Sequence, residues 1–287
     1  MTPRVGGAAR RAYRNARASL LSKWRGPQEW CGVRILGYHR VAIADDPLAV
    51  TPQAFEAQLH AALASGARPV RLSAVPTLLQ APSEDRFFCL TFDDGYADNF
   101  EFAAPILRAL AIPATIFLPT DIIDGVAPYS WYEAAPPPAL TWEQVRALAG
   151  EGLIDFQSHG RTHALLPSLS DERARGEIFE SRRILEERTG RPVTCFCYPA
   201  GRYGAREVRL VQEAGYAAAV TVAPGVNRRD ASMYQLRRAM IGPPDTGRDV
   251  RALFDGLVDE PDPITRVARK LRAGMTARTG RGRSARS

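Results

Sequence analysis

The sequence lacks most features of a secreted or membrane-spanning protein. Four cysteines in 287 residues are too few for a disulfide framework, and Cys195 and Cys197 share one strand face, where they pair poorly. No apolar run reaches the ~18 residues that a membrane-spanning helix requires. The first 26 residues carry arginine throughout and contain no apolar core segment, so they do not resemble a secretory signal. We therefore expect a cytoplasmic protein.

Acidic residues are almost absent from both ends of the chain. The first 40 residues hold nine Lys or Arg and one acid, and residues 262–287 hold eight and one. The rest of the chain holds 21 basic and 29 acidic residues, so the body is mildly acidic although the net charge is +7. An acidic body argues against a nucleic-acid partner. The basic ends either contact an anionic membrane peripherally, at its inner face, or stay solvated.

Three regions follow from the composition. Residues 1–30 are a basic extension, in which we expect a helix over 8–25 that either anchors on a membrane or packs on the body. Residues 31–260 form the main domain, and residues 261–287 are a basic tail expected to be disordered at its end. A content of 45% apolar and 24% charged residues is that of a globular protein.

Apolar runs alternate with amphipathic segments along the main domain. Strands are predicted at 33–38, 87–92, 114–119, 153–158, 193–199 and 216–222. Helices are predicted at 51–66, 102–112, 141–152, 170–190 and 205–215, with Thr51 and Thr141 as N-caps and Gly190 as a stop. This alternation predicts an α/β barrel of parallel strands, with its chemistry at the C-terminal ends of the strands.

Candidate metal ligands follow two of these strands. Asp93 and Asp94 end the second predicted strand, and adjacent carboxylates repel each other unless a cation relieves them. His159 and His163 follow the fourth strand, at a spacing that places both rings on one face of a helical turn. Two histidines with one of the carboxylates predict an open three-ligand metal site, and the other carboxylate stays free as a base.

Two further segments are expected to reach the same rim of the barrel. His39 follows the first predicted strand, and the segment 197–204 (CYPAGRYG) follows the fifth. The glycines of this segment let its backbone approach a ligand closely, and its free N–H groups would hold an oxyanion.

Other candidates are less specific. The loop 120–140 holds Tyr129, Trp131 and Tyr132 together with three consecutive prolines, and it is a candidate substrate-facing loop. His60 lies inside a predicted helix, and we expect no chemical role for it.

Together these residues resemble the polysaccharide deacetylases of carbohydrate esterase family 4, the nodulation-type deacetylases. The matching motifs are TFDDG at 91–95, SHGRTH at 158–163 and YPAG at 198–201, supported by TPQAFEAQL and LTWEQVRALAGEGLIDFQSH. The likeness extends over residues 33–241. It implies a distorted (β/α)7-type barrel and hydrolysis of an N-acetyl group on an amino sugar.

The resemblance also implies a role for each matching residue. Asp93 is implied as the catalytic base. The ligands of a divalent metal are implied to be Asp94, His159 and His163. The oxyanion and substrate segment comprises Tyr198, Pro199, Ala200 and Gly201, with the Ala200 N–H as the donor. Zinc is the expected metal, and the donor set also accommodates cobalt, iron or nickel.

Two departures from the family pattern matter. Many members place the general-acid histidine near the C-terminus, but no histidine follows His163 here. The chain resembles instead the branch with an N-terminal Tyr-His-x-Val strand, which implies His39 as the acid. Cys197 stands where many members carry an arginine, so the group that supports Asp93 stays unassigned. Arg238, in LRRAM, resembles a segment of the same branch, with an ordinary surface arginine as the alternative.

The function implied is metal-dependent N-deacetylation of a carbohydrate, in a glycan or a lipid-linked glycan intermediate of envelope or exopolysaccharide synthesis. A deformylase or another amidase on the same barrel is the alternative, and it would differ at the loop 120–140. A catalytically silent glycan-binding module is less favoured, because a base, three ligands and an acid are all present. Nucleic-acid binding through the basic ends is a further alternative, and it would survive Asp93→Asn.

Overall fold

The computed structural model describes residues 30–81 and 83–257. The helix predicted over 8–25 and the tail at 261–287 lie outside these residues, as does nearly all of the extension 1–30. None of the described helices combines the length and the apolar character needed to cross a membrane. All four cysteines lie within the described residues, and each is a free thiol.

Ten strands form within the described residues, most of them where the apolar runs predict. They are β1 (Gly32–Tyr38), β2 (Arg40–Val41), β3 (Ala49–Val50), β4 (Arg68–Pro69), β5 (Arg86–Phe92), β6 (Ala114–Leu118), β7 (Ile154–Ser158), β8 (Cys195–Cys197), β9 (Ala218–Val220) and β10 (Ala239–Met240). Seven strands of the main sheet follow the order β10, β1, β5, β6, β7, β8, β9, and β4 pairs with β5. All these pairs are parallel. The curled parallel sheet confirms the predicted α/β fold of the (β/α)7 type.

The helices begin and end near the predicted capping residues. They are α1 (Pro52–Leu63), α2 (Val75–Gln80), α3 (Ala104–Leu110), α4 (Thr120–Ile123), α5 (Trp142–Glu151), α6 (Asp171–Thr189), α7 (Ala205–Glu213) and α8 (Gly247–Phe254). Thr51 and Thr141 cap α1 and α5 with their side chains, and α6 stops at Gly190. The helix predicted at 102–112 begins earlier than expected, as a π-helical turn over Asn99–Ala103 that precedes α3.

The segment between β9 and β10 joins the two edges of the curled sheet. Leu236 donates its N–H to the carbonyl of Ala219 on β9, at 2.9 Å. Immediately afterwards, β10 pairs with Leu36 and Gly37 of β1. Arg238 lies between these two contacts, and its side chain is fully buried. The segment between β9 and β10 therefore places the positively charged guanidinium of Arg238 in the interior of the curled sheet.

Alternate residues of the strands face two different cores. Phe88 and Leu90 of β5 pack in the large core that includes the surrounding helices. Phe87 and Cys89 belong to a smaller cluster on the other face of the sheet, which side chains of α2 also join. The same alternation carries the inner face of β5 on to Asp93, just beyond the end of the strand.

Strand β8 is shorter than the prediction of 193–199. Its pairing stops at Cys197 because Pro199 has no N–H to donate to a ladder and begins a short 3₁₀ turn, Pro199–Gly201. The early end of β8 turns the segment 198–201 across the rim of the sheet.

Candidate active site

The C-terminal ends of four strands of the main sheet carry the residues that the sequence analysis selects. These are His39 after β1, Asp93 and Asp94 after β5, His159 and His163 after β7, and residues 198–201 after β8. Because these strands are parallel members of one sheet, with only β6 between β5 and β7, their following loops share one rim of the barrel. His60 is exposed on α1 and is not one of these residues.

Asp94, His159 and His163 form a compact cluster that fits a metal ion. Their candidate ligand atoms all lie within 4.8 Å of one another. The Nε2 atoms of the two histidines are each 3.5 Å from Asp94 Oδ1. Within the described part of the chain, this buried oxygen has no hydrogen-bond donor. Leaving a buried carboxylate oxygen unpaired is costly, and a divalent cation among the three side chains would satisfy it.

A second hydrogen bond orients the ring of His159. Its Nδ1 is 2.8 Å from the carbonyl oxygen of Cys197, which only accepts, so Nδ1 carries the proton and Nε2 faces Asp94. Burial opposes protonation of His159, but Cys197 and the two carboxylates raise its pKa well above the ordinary value. The field that attracts a proton to Nε2 also attracts a cation. Burial and the neighbouring His159 lower the pKa of His163 to about 4, so that ring is neutral at pH 7.

Asp93 is held by Arg238, which therefore supplies the support that the sequence left unassigned. The guanidinium donates from Nη1 to Oδ1 at 2.6 Å and from Nη2 to Oδ2 at 2.7 Å. It also donates to the Thr91 hydroxyl, the Thr221 carbonyl and the Cys197 sulfur. The alternative of a surface arginine is wrong, since Arg238 is among the most deeply buried large side chains described.

The pairing with Arg238 decides the charge of Asp93. Burial raises the pKa of this carboxyl, but the charge of Arg238 outweighs it and holds the pKa well below its usual range. Asp93 is therefore ionised at neutral pH and fixed in orientation by two charge-assisted hydrogen bonds.

A second set of potential ligands consists of Asp93, His159 and Cys197, whose ligand atoms also lie within 4.8 Å of one another. Arg238 donates to Asp93 and lies 3.2 Å from the Cys197 sulfur. A guanidinium in direct contact with two of the three groups repels a cation, which favours the set that includes Asp94.

The two histidines after β7 lie on a loop, so the prediction of a helical turn is wrong. Gly160 and His163 adopt left-handed backbone conformations, with φ of 77° and 59°. Glu177 on α6 fixes the loop: its Oε2 accepts the N–H groups of Arg161 and Thr162, at 2.8 and 2.9 Å. The sequence analysis missed Glu177, because its position on an amphipathic helix gives no sign of a contact 15 residues away.

The backbone after β5 is also unusual. Asp94 has φ of 73°, a left-handed conformation that is strained for a residue with a Cβ. Gly95 follows with φ of 68°, and a Cβ there would stand 2.5 Å from the side chain of Leu118. The Asp-Asp-Gly sequence thus needs its glycine both for conformation and for space.

His39 lies half-buried beside the two carboxylates. Its carbonyl accepts a hydrogen bond from the side chain of Asn99, at 3.1 Å. Burial raises the pKa values of Asp93 and Asp94, and the charge of a protonated His39 is among the groups that lower both below their ordinary value. His39 therefore lies within electrostatic reach of both carboxylates.

The segment 198–201 separates side chains that build the fold from an accessible backbone. Tyr198 is buried, stacks on Tyr203 at 4.5 Å and donates to the carbonyl of Tyr234. Ala200 is exposed and has φ of 52°, while Gly201 donates its N–H to Tyr198. A Cβ on Gly201 would stand 2.4 Å from Val222. The accessible part of the segment is the backbone at Ala200.

The loop 120–140 lies against this cluster, and its aromatic residues contact it. The Trp131 ring centroid is 4.5 Å from that of His163. The Tyr129 hydroxyl donates to the carbonyl of Asp94 at 3.1 Å, and the Tyr132 hydroxyl donates to Asp46 at 2.8 Å. The loop therefore borders the site, as its prediction as a substrate-facing loop requires.

Comparison with known proteins identifies a similar family and similar proteins. A family model described as polysaccharide deacetylase matches residues 80–219. The chain is 29% identical over 239 residues to the putative polysaccharide deacetylase YxkH of Bacillus subtilis (strain 168), covering 82% of this chain and 81% of that protein. The match to YxkH is longer than the family-model region.

Solved structures share the fold. The Streptococcus pyogenes deacetylase PplD superposes with a TM-score of 0.67 at 23% identity, covering 80% of this chain and 99% of that one. IcaB from Ammonifex degensii superposes with a TM-score of 0.68 at 23% identity, covering 79% and 98%.

Proposed function

Because this chain belongs to the polysaccharide deacetylase family, we propose that it removes N-acetyl groups from amino sugars of an exopolysaccharide with the help of a divalent metal. It is a hydrolase of carbon–nitrogen bonds other than peptide bonds. The observation that carries the proposal is the contrast between the two carboxylates at the rim. Asp93 is ionised and fixed by Arg238, whereas Asp94 has a buried oxygen without a hydrogen-bond donor among the described residues, beside two histidines.

Asp93 is the general base in this proposal. Its paired carboxylate stays ionised and takes a proton from a water molecule, whose oxygen bonds to the carbonyl carbon of the acetamide. Arg238 makes Asp93 a weak base, so the water must be acidified. A divalent cation held by Asp94, His159 and His163 would supply that acidification and would polarise the acetyl carbonyl.

His39 and the backbone at Ala200 complete the reaction. The carbon–nitrogen bond breaks as protonated His39 gives its proton to the sugar amine, which leaves with acetate as the other product. The Ala200 N–H donates a hydrogen bond to the oxygen on which negative charge develops. PplD, one of the proteins of similar fold, is described in complex with acetate, the expected product.

The basic ends support a proposal about membrane contact. Trp30 donates its indole N–H to the carbonyl of Phe254 at 2.5 Å, so residues near the two limits of the described chain lie in contact. This contact lies by the start of β1, about 20 Å from the rim for a strand of this length. We propose that both ends contact an anionic membrane and turn the site away from it. Such an orientation favours a polymer over a lipid-linked sugar held close to the headgroups.

Acetate release tests the catalytic proposal. The full chain would be assayed on N-acetylated oligosaccharides with zinc, cobalt or a chelator, beside Asp93→Asn and His39→Ala. We expect metal-dependent release that falls by about 10²–10⁴ in Asp93→Asn. Release of formate from N-formyl analogues, without release of acetate from the N-acetylated substrates, would favour the deformylase alternative. Stoichiometric metal without any hydrolysis would favour the glycan-binding module.

Vesicle binding tests the membrane proposal. The full chain should sediment with vesicles rich in phosphatidylglycerol at low salt, and the bound enzyme should still cleave a water-soluble oligosaccharide. Absence of binding would refute the contact, and loss of cleavage in the bound state would refute the orientation.

A further inference from the structure

Residues 129–140, the clamp segment, are joined directly to the turn that carries Asp94. The N–H of Leu140 donates to the carbonyl of Gly95 at 2.8 Å, and the N–H of Ala97 donates to the carbonyl of Pro138 at 2.9 Å. Two hydrogen bonds in opposite directions tie the two stretches of backbone together. The turn after β5 is therefore held from outside by a segment remote in sequence.

Tyr129 of the clamp segment contacts Asp94, the proposed metal ligand, directly. Its hydroxyl donates to the carbonyl oxygen of Asp94 at 3.1 Å, and its side chain is only 4% exposed. The residue it holds has the left-handed φ of 73°, which an aspartate adopts only when its surroundings impose it. The direction of the Asp94 carboxylate depends on that backbone conformation.

Trp131 makes the corresponding contact with a ligand from another strand. Its ring lies 4.5 Å from the ring of His163, centroid to centroid. Its Nε1–H donates to the Tyr96 hydroxyl at 3.0 Å, and Tyr96 stacks on Tyr129 at 4.8 Å. One cluster of rings thus contacts both Asp94 and His163, which reach the site from β5 and β7.

We infer that Tyr129 and Trp131 are positioning residues that fix Asp94 and His163 in the arrangement that a divalent cation requires. The inference rests on the proposed function in one respect, that these residues hold a metal. Because coupling free energies are reciprocal, the free energy by which a bound metal stabilises the clamp segment should equal the free energy that the clamp segment adds to metal binding.

Metal affinity measured without substrate tests the role of Tyr129. Zinc would be titrated into metal-free full-length protein against a chromophoric chelator, with Tyr129→Phe compared with the wild type. Loss of the hydroxyl bond to Asp94 should weaken binding by about tenfold, as for other groups that orient ligands. Tyr132→Phe is the matched control, because its hydroxyl reaches Asp46 instead, and its affinity should stay within about twofold of the wild type.

A pair of substitutions tests Trp131 through its ring. Trp131→Ala should weaken zinc binding by about 10–100-fold, and Trp131→Phe, which keeps an aromatic ring against His163, should restore most of the affinity. The visible absorption of bound Co²⁺ should change in the alanine variant, because the direction of His163 changes. Equal affinities and equal spectra for all these proteins would overturn the inference.

Hydrogen exchange tests the same inference on the wild-type protein, so the result does not require that a variant folds. Adding zinc should slow amide exchange in residues 129–132 as well as in the turn after β5, and it should leave exchange in α7 unchanged. If the protein binds zinc and the clamp segment shows no protection, the inference is wrong. If the wild type binds no metal at all, the proposed function fails first.

Discussion

Asp93 and Asp94 are adjacent in the chain, and the site surrounds them in opposite ways. On the Asp93 side, one arginine gives both carboxylate oxygens a hydrogen-bond donor. On the Asp94 side, Oδ1 has no donor among the described residues and faces two imidazoles at 3.5 Å. Both carboxylates are buried, so the difference lies in their partners.

In the proposed function, this difference lets one short motif provide both a base and a metal ligand. A carboxylate whose oxygens are already paired with a cation inside the protein is a poor metal ligand but keeps a fixed charge. A buried carboxylate that lacks such a partner is left for a cation from outside. The strained backbone at Asp94 turns the two side chains of one dipeptide toward these different surroundings.

Removing Arg238, the partner of Asp93, should cause the largest loss of stability and activity. Arg238→Met leaves a buried carboxylate without its partner, which typically costs about 3–5 kcal/mol of unfolding free energy. Activity should also fall by about a hundredfold or more, because Asp93, the proposed base, loses its orientation. Arg237→Met is the matched control: Arg237 is exposed, and its loss should cost less than about 0.5 kcal/mol. Urea unfolding and acetate release measure both effects.

The stability cost should depend on pH. The pKa of Asp93 is depressed in the folded wild type, so the stability it contributes is present above its unfolded pKa of about 4 and is lost as pH falls further. In Arg238→Met, burial without a partner raises that pKa, so protonation of Asp93 at lower pH removes the cost of the unpaired charge. The difference in unfolding free energy should therefore shrink from pH 7 toward pH 4, and a constant difference would contradict the assignment.

Loosening the loop that carries His159 and His163 should disturb the surroundings of Asp94 and have a smaller effect. Glu177→Gln keeps the size of the side chain but replaces an oxygen that accepts two backbone N–H groups. We expect a loss of about 1–3 kcal/mol in stability and weaker zinc binding. Glu180→Gln, one turn further along α6 and in an exposed pair with Arg183, should change neither by a measurable amount. Equal zinc affinities for the two variants would show that the loop needs no anchor.

The smallest effect is expected at Cys197. Cys197→Ala removes the sulfur that contacts Arg238 at 3.2 Å and leaves a small internal void, costing about 1 kcal/mol. Cys195→Ala, two residues earlier on the same buried strand, should cost a similar amount without altering activity. If only the Cys197 variant lowers acetate release, the thiol helps to position Arg238.

Much of the fold follows from local signals. Capping residues such as Thr51 and Thr141 place helix starts within one residue, because an N-cap needs a side chain that accepts a backbone N–H. Strand β8 shows the limit of such reasoning. An apolar run predicts burial, and only the tertiary neighbours decide how much of it pairs as strand.

The site divides in the same way. The residues after β5 and β7 are predictable, since motif spacing and strand polarity bring them to one rim. The pair of Asp93 and Arg238 spans 145 residues and depends on how the sheet curls, which no local pattern encodes. The anchoring contacts of Glu177 and Tyr129 also join residues that are distant in sequence, 15 and 35 residues apart.

The measurement that tests this account most directly compares Asp93→Asn with Asp94→Asn for bound metal and for acetate release. We expect Asp93→Asn to retain about one zinc per chain after dialysis and to lose activity by about 10²–10⁴. We expect Asp94→Asn to lose both zinc and activity. Retention of zinc in Asp94→Asn together with its loss in Asp93→Asn would contradict the account, and it would place the metal on Asp93, His159 and Cys197 instead.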